Sequence, residues 1–175
     1  MSWLSGPEPP DNKPPTLTLS VKTPGPVSPN KLANVLSTFR AQKKKIVFTN
    51  GVFDILHRGH VDYLRKAKAL GDVLVVGLNT DSSVRKIKGP GRPIQNQNDR
   101  AVITASLKSV DYVIFFDEPT PDRLIHFVKP DVLVKGADYK LGQIAGAYFV
   151  KSYGGKVKRI KLTSGRSTSK ILAKL

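Results

Sequence analysis

His57, Arg58, Gly59 and His60 form an H-x-G-H element. Two imidazoles three residues apart, with a glycine between them, can aim two N–H donors at one anion. The element follows the run I-V-F-T-N-G-V-F-D at 46–54, whose first three residues are apolar and β-rich. It precedes a stretch in which Val61, Leu64, Ala67 and Leu70 recur at the spacing of one helix face. Both histidines therefore belong to the first turn of a helix or just before it. Unpaired backbone N–H groups and the positive end of the helix dipole make such a position attractive to phosphate oxygens. The chemistry indicated is the binding of a polyphosphate.

Other polar segments carry compatible groups. Asn79, Thr80 and Asp81 lead into Arg85, Lys86, Lys88 and Arg92, interleaved with Gly89 and Gly91. This segment reads as a mobile cationic flap, and it is not a P-loop because no G-x-x-x-x-G-K-[ST] pattern occurs. Further on, Gly136 would allow close backbone approach to a ligand, and Asp138 could accept from a base or a sugar hydroxyl. Ser167 or Thr168 can cap a final helix over 170–175 while the same hydroxyls and N–H groups hold a phosphate. Taken singly, these segments are also an ordinary solvated loop, a strand-to-helix turn and a helix cap.

The elements that must position these residues alternate along the chain. Strands are expected over 45–50, 73–78, 112–116, 132–135 and 156–162, with helices over 60–70, 99–109, 121–128 and 143–153. A leading helix over 29–43 starts with Ser28 as N-cap and Pro29 at the first helical position. Residues 1–28, rich in Pro, Ser and Thr, read as a flexible tail ahead of one domain over 29–175. Apolar strands alternating with helices imply an α/β fold: a Rossmann-like three-layer αβα sandwich around a five-stranded parallel sheet. Ligands bind such sheets at the carboxyl ends of the strands. Asn50, Asn79, Phe116 and Lys135 fall at those ends.

Composition narrows the classes further. With 175 residues and 39% hydrophobic content the chain suits one full-sized core. Cysteine is absent, which excludes a disulfide framework, a thiolate zinc site and a cysteine nucleophile. The first residues resemble no signal peptide and no apolar run could span a bilayer, so a soluble, cytoplasmic protein is expected. The formal net charge is +16, and from Lys151 onward the chain holds many lysines and arginines and no acid. No aromatic residue interleaves with that charge after Tyr153, so it reads as a solvated basic face whose field draws in nucleotides, not as a nucleic-acid footprint.

The ordered set T-N-G-V-F-D-I-L-H-R-G-H, N-T-D, K-G-x-x-R-P, V-D-Y-V, T-P-x-x-L-I, K-P-D-V-L-V-K-G-A-D-Y and G-R-S-T-S-K-I resembles the nucleotidyltransferase superfamily with the H-x-G-H signature. Within it, the wording is similar to the adenylyltransferases of ADP-heptose synthesis, from about residue 30 to the end. Val52 and Arg166 stand where that branch often carries cysteine, and Ala137 replaces a glycine. The related glycerol-3-phosphate cytidylyltransferases carry R-T-E-G-I-S-T before the last helix and an arginine before V-D. Here the segment 162–168 reads L-T-S-G-R-S-T, and Lys108 takes the arginine's place, which disfavours CTP. In many bacteria the heptose enzyme is fused behind a sugar kinase, whereas only the Pro-rich tail and one helix precede the domain here.

The resemblance implies transfer of AMP from ATP to D-glycero-β-D-manno-heptose 1-phosphate, giving ADP-heptose for lipopolysaccharide assembly, in a homo-oligomer of which the dimer is the usual form. His57, His60 and Lys88 are the expected catalytic residues, with Lys86 and Arg92 helping to neutralise the phosphates. Thr49, Asn50, Gly51, Val52, Phe53, Gly136, Asp138, Gly165, Ser167 and Thr168 are expected around the nucleotide. Asp54 and Asp81 are expected at the substrate, and Asp54 also near a Mg2+ ion bridging the phosphates. Competing readings are a cytidylyltransferase or another H-x-G-H adenylyltransferase, a class I aminoacyl-tRNA synthetase fragment, which the missing K-M-S-K-S disfavours, and a non-catalytic nucleic-acid-binding protein.

Overall fold

Strand alternation sets the layers. In β1 (Ile46–Gly51), Ile46 and Phe48 pack into one hydrophobic cluster and Val47 into another, on opposite faces of the sheet. The same alternation runs through β2 (Val73–Asn79), β3 (Tyr112–Phe116) and β4 (Val132–Gly136). The chain is described here from a computed structural model that covers residues 25–161 together with Thr163, Thr168 and Ile171. The fifth strand, β5 (Lys156–Ile160), completes a sheet of order β3-β2-β1-β4-β5 in which every pairing is parallel.

One face is covered by α1 (Pro29–Ala41), α5 (Asp122–Val128) and α6 (Ala147–Ser152), through Leu32, Leu36, Ile125, Val128, Ala147 and Val150. The other is covered by α2 (Arg58–Lys68) and α4 (Gln97–Ser106), through Leu64, Ala67, Ala101 and Ala105. This is the three-layer arrangement that the alternating elements imply. The chain builds outward from β1 to β3, then returns to the other side of β1 for β4 and β5. The strand order therefore reverses between β1 and β4, and a crevice opens beyond their carboxyl ends. No helix of the described residues is long and apolar enough to cross a membrane.

Local chemistry fixes the helix starts. Ser28 Oγ accepts from the Lys31 N–H at 3.3 Å, and Pro29 opens α1 without sacrificing a hydrogen bond. Residues 25–28 depart from the expected tail. Val27 is buried, its N–H donates to the Val113 carbonyl at 2.8 Å, and Pro26 bridges the same residue. The segment thus covers the free edge of β3.

The expected flap is also partly wrong. Arg85, Lys86 and Lys88 lie in α3 (Asp81–Lys88), which Thr80 caps by accepting the Ser83 N–H, and the chain leaves helical geometry only at Gly89, φ 84°. The expected helix over 143–153 is split into a short 3-10 turn (Leu141–Gln143) and α6, with Gly146 at φ 74° between them. The expected final helix lies outside the described residues apart from Ile171.

Candidate active site

The first turn of α2 places the two histidines. His57 has extended backbone and closes the turn with its carbonyl, which accepts from the His60 N–H at 2.9 Å; its side chain does not cap the helix. The imidazoles stack with centroids 3.9 Å apart and planes 17° from parallel. Phe53 supports them with its ring edge-on to His60 at 5.2 Å. To do so it adopts φ 46°, a left-handed conformation that costs a bulky residue about 1 kcal/mol. Its ring also fills the space where a side chain on Gly51 would sit, 2.9 Å from an added Cβ. Burial first, and the adjacent His57 second, hold the His60 pKa down to about 4, partly opposed by the Ile55 backbone.

Both histidines face a cavity of about 770 Å³ at the carboxyl end of the sheet. Asn50, Gly51, Val52, Phe53 and Asp54 after β1 form its floor. Ile87, Lys88 and Arg92 form one wall, and Lys135, Tyr139 and Gln143 another. Thr168 approaches from the C-terminal segment, its hydroxyl 3.4 Å from the Ile55 carbonyl. Among the described wall residues the permanent charges are three cations, Lys88, Arg92 and Lys135, against the single carboxylate of Asp54. That balance favours a polyanion.

Asp54 does not fit a metal-ligand role. It is 2% exposed, and both its oxygens are occupied. Arg92 pairs with Oδ2 through Nε at 2.8 Å and a terminal nitrogen at 2.7 Å, while the N–H groups of Ile94 and Gln95 reach Oδ1, each at 2.9 Å. Asp54 thereby fastens the loop that carries Arg92 against the cavity floor. Among the described residues no group of three or more His, Asp or Glu side chains converges to hold a metal ion.

Several other expected residues stand away from the cavity wall. Thr49 is fully buried on the α2 face, donating to the Val134 carbonyl at 3.0 Å and sharing a 2.7 Å hydrogen bond with Tyr63. One residue of phase in a strand separates it from Asn50, which does face the cavity. Lys86 points to Asp117, 3.7 Å away. Asp81 pairs at 2.6 Å with Arg100. Gly136 is buried in β4, and Asp138 is exposed in the loop beyond it. Gly165 and Ser167 lie outside the described residues.

Two residues that carry weight here were given no role from the sequence, although Lys135 was placed at the carboxyl end of its strand. Arg100, fully buried in α4, donates to the carbonyls of Val52, Asn79 and Gln95 at 2.8, 2.9 and 3.0 Å as well as to Asp81. It ties the ends of β1 and β2 to the loop beneath the cavity. Lys135 is the other, a lysine in an otherwise apolar strand.

A family model described as cytidylyltransferase-like matches residues 48–173, which span β1 to the C-terminal segment and hence every wall of the cavity. The chain belongs to the cytidylyltransferase-like family. Relatives in this family include the bifunctional protein HldE of Geobacter metallireducens, 54% identical over 144 residues, and that of Pseudomonas putida, 55% identical over 136 residues. These alignments cover 82% and 78% of this chain but 29% of each HldE protein. The chain thus spans about three tenths of the length of the curated relatives it matches. A lipopolysaccharide core biosynthesis protein from Thermoplasma volcanium is 35% identical, with a TM-score of 0.56, over 69% of this chain and 97% of that one. The pantoate-beta-alanine ligase of Francisella tularensis, 18% identical with a TM-score of 0.56 over 81% of this chain and 67% of that one, shares the fold.

Proposed function

We propose that this member of the cytidylyltransferase-like family is an adenylyltransferase that joins ATP and a sugar 1-phosphate, D-glycero-β-D-manno-heptose 1-phosphate, to give ADP-heptose and pyrophosphate. The observation that carries this reading is the stacked His57–His60 pair on the first turn of α2, facing a cationic cavity at the strand-order reversal. The HldE relatives, matched at about half identity over most of this chain, support the adenylyltransferase choice over cytidylyl transfer. We also propose a homo-oligomer, as the resemblance to the H-x-G-H superfamily implies.

The chemistry asks little of the protein beyond position and charge. An oxygen of the sugar phosphate attacks the α-phosphorus of ATP, the bond from that phosphorus to the bridging oxygen breaks, and pyrophosphate departs with the electron pair. The attacking oxygen is already anionic at neutral pH, so no general base is needed. The enzyme must hold the two anions in line and stabilise the charge that gathers on the bridging oxygen. His57 and His60 supply N–H donors there. His60 enters as neutral imidazole at pH 7, and a phosphate docking beside it raises its pKa and strengthens its donor. Lys88 neutralises the outer oxygens, Arg92, already paired with Asp54, adds its remaining N–H groups, and the backbone at 51–53 with Thr168 completes the nucleotide pocket. Mg2+ carried by ATP would offset part of the phosphate charge.

Substituting either histidine with alanine removes one preorganised donor, which is worth about 10²–10³ in turnover. Neither ring is a main support of the core, so His57→Ala and His60→Ala should keep a cooperative melting transition while losing that factor. If both variants released pyrophosphate at near wild-type rates, the proposed site would be wrong.

A further inference from the structure

Strand alternation puts Lys135 on the face of Leu133, which packs under α5 and α6, whereas His57 and His60 rise from α2 on the opposite face. Lys135 and the histidine pair thus enter the cavity from opposite sides of the β1–β4 crevice. Lys135 is 9% exposed, and its ammonium makes no hydrogen bond and no ion pair with any described residue. It lies over the Tyr139 ring at 5.2 Å, and its register partner on β5 is another cation, Arg159. The other two wall cations differ: Arg92 is neutralised by Asp54, and Lys88 is exposed at the end of α3. Burying a lysine with no hydrogen-bonded or ion-paired partner is unfavourable unless something else supplies the negative charge.

We propose that Lys135 is a phosphate-binding residue of this cavity, its ammonium reserved for an anionic phosphate oxygen of a bound substrate, either the phosphomonoester of the acceptor or a phosphate of the nucleotide. The inference deepens the reading of the cavity as a nucleotidyl-transfer site and rests on it. The titratable groups beside Lys135 are Asp138 and Tyr139 from the loop after β4, and Arg159 is its register partner on β5. Burial dominates among them and holds the Lys135 pKa down to about 8, with Asp138 acting against it. An arriving phosphate would push it back up.

The test uses the full chain with Lys135→Met, which keeps length and removes charge, and Lys135→Arg, which restores it. Steady-state rates are measured while ATP and heptose 1-phosphate are varied separately. In parallel, the Lys135 resonance is titrated by NMR in 13C-dimethylated protein, free and with either ATP or inorganic phosphate. Lys135→Met should raise KM for one of the two substrates about tenfold or more, in line with loss of a charge-assisted hydrogen bond, and Lys135→Arg should recover most of it. The Lys135 resonance should titrate at higher pH with anion bound. A change confined to the acceptor's KM assigns the acceptor phosphate, and one confined to ATP assigns the nucleotide. If neither KM moved beyond twofold and the resonance ignored both anions, Lys135 would be structural and the proposal overturned. The NMR arm needs no turnover: in a protein inactive with these substrates, a Lys135 shift with anion keeps this proposal while the functional reading falls, and an unmoved resonance overturns this proposal as well. Should Lys135→Met fail to fold, Lys135→Arg and the wild-type titration still decide.

Discussion

Replacing Arg100 with methionine removes a buried guanidinium that holds four partners at once. The side chain is fully buried, and its bonds to Val52, Asn79, Gln95 and Asp81 run from 2.6 to 3.0 Å. A hydrogen bond from a charged donor contributes about 1.5–3 kcal/mol, and removing one partner of a buried ion pair costs about 3–5 kcal/mol. These losses overlap, because one side chain makes all of them. Asp81 is also partly solvated, and water entering from the cavity can satisfy some of the abandoned carbonyls. A net loss of about 4 kcal/mol is therefore the expectation, equivalent to a fall in Tm of about 8–16 °C for a domain of this size. Arg100→Lys keeps a cation near Asp81 but cannot reach all three carbonyls, so it should lose roughly half as much. Urea and thermal unfolding followed by circular dichroism would measure both. A methionine variant melting within about 3 °C of wild type would refute the view that Arg100 braces the strand ends beneath the cavity.

Asp54→Asn leaves Arg92 without its carboxylate partner and weakens the grip on the Ile94 and Gln95 N–H groups. Stability should drop by about 3 kcal/mol and pyrophosphate release by about tenfold or more; unchanged values of both would contradict the fastening role. For His60 the folded pKa of about 4 lies below the unfolded 6.5, so the unfolded chain takes up the proton first as pH falls. The stabilising contribution is complete above pH 6.5 and is lost between about 6.5 and 4. It is about 3 kcal/mol at full value and ~1–2 kcal/mol after solvent screening of a part-exposed ring. Urea unfolding at pH 7 and 4.5 should therefore show wild type losing more than His60→Gln, and parallel losses would contradict the assignment.

Much of this was legible because the relevant signals are local. Ser28 and Pro29 announce α1, apolar runs mark the strands, and Gly59 between two histidines after a strand points to a helix start at a ligand edge. α3 was misread because glycines after Lys88 suggested a loop, although the Thr80-Asp81 capping pair was present to announce a helix. The pairing of Val27 with the edge of β3 depends on a contact 86 positions away, beyond any local pattern. Thr49 and Asn50 could not be told apart without the phase of β1 relative to its helices. The roles of Asp54, Asp81 and Lys86 depended on where Arg92, Arg100 and Asp117 lie in space. Lys135 did leave a trace: a lysine closing a buried parallel strand calls for a partner, and it sat at the carboxyl end where ligands bind.

The central claim is tested most directly by pyrophosphate release with Mg2+, offering ATP or CTP in turn against D-glycero-β-D-manno-heptose 1-phosphate and glycerol 3-phosphate. Turnover is expected with ATP and the heptose phosphate alone, abolished or nearly so by His57→Ala. Turnover with CTP would move the chain to cytidylyl transfer, and saturable binding of RNA or DNA with no turnover of any pair would contradict an enzymatic role for the cavity altogether.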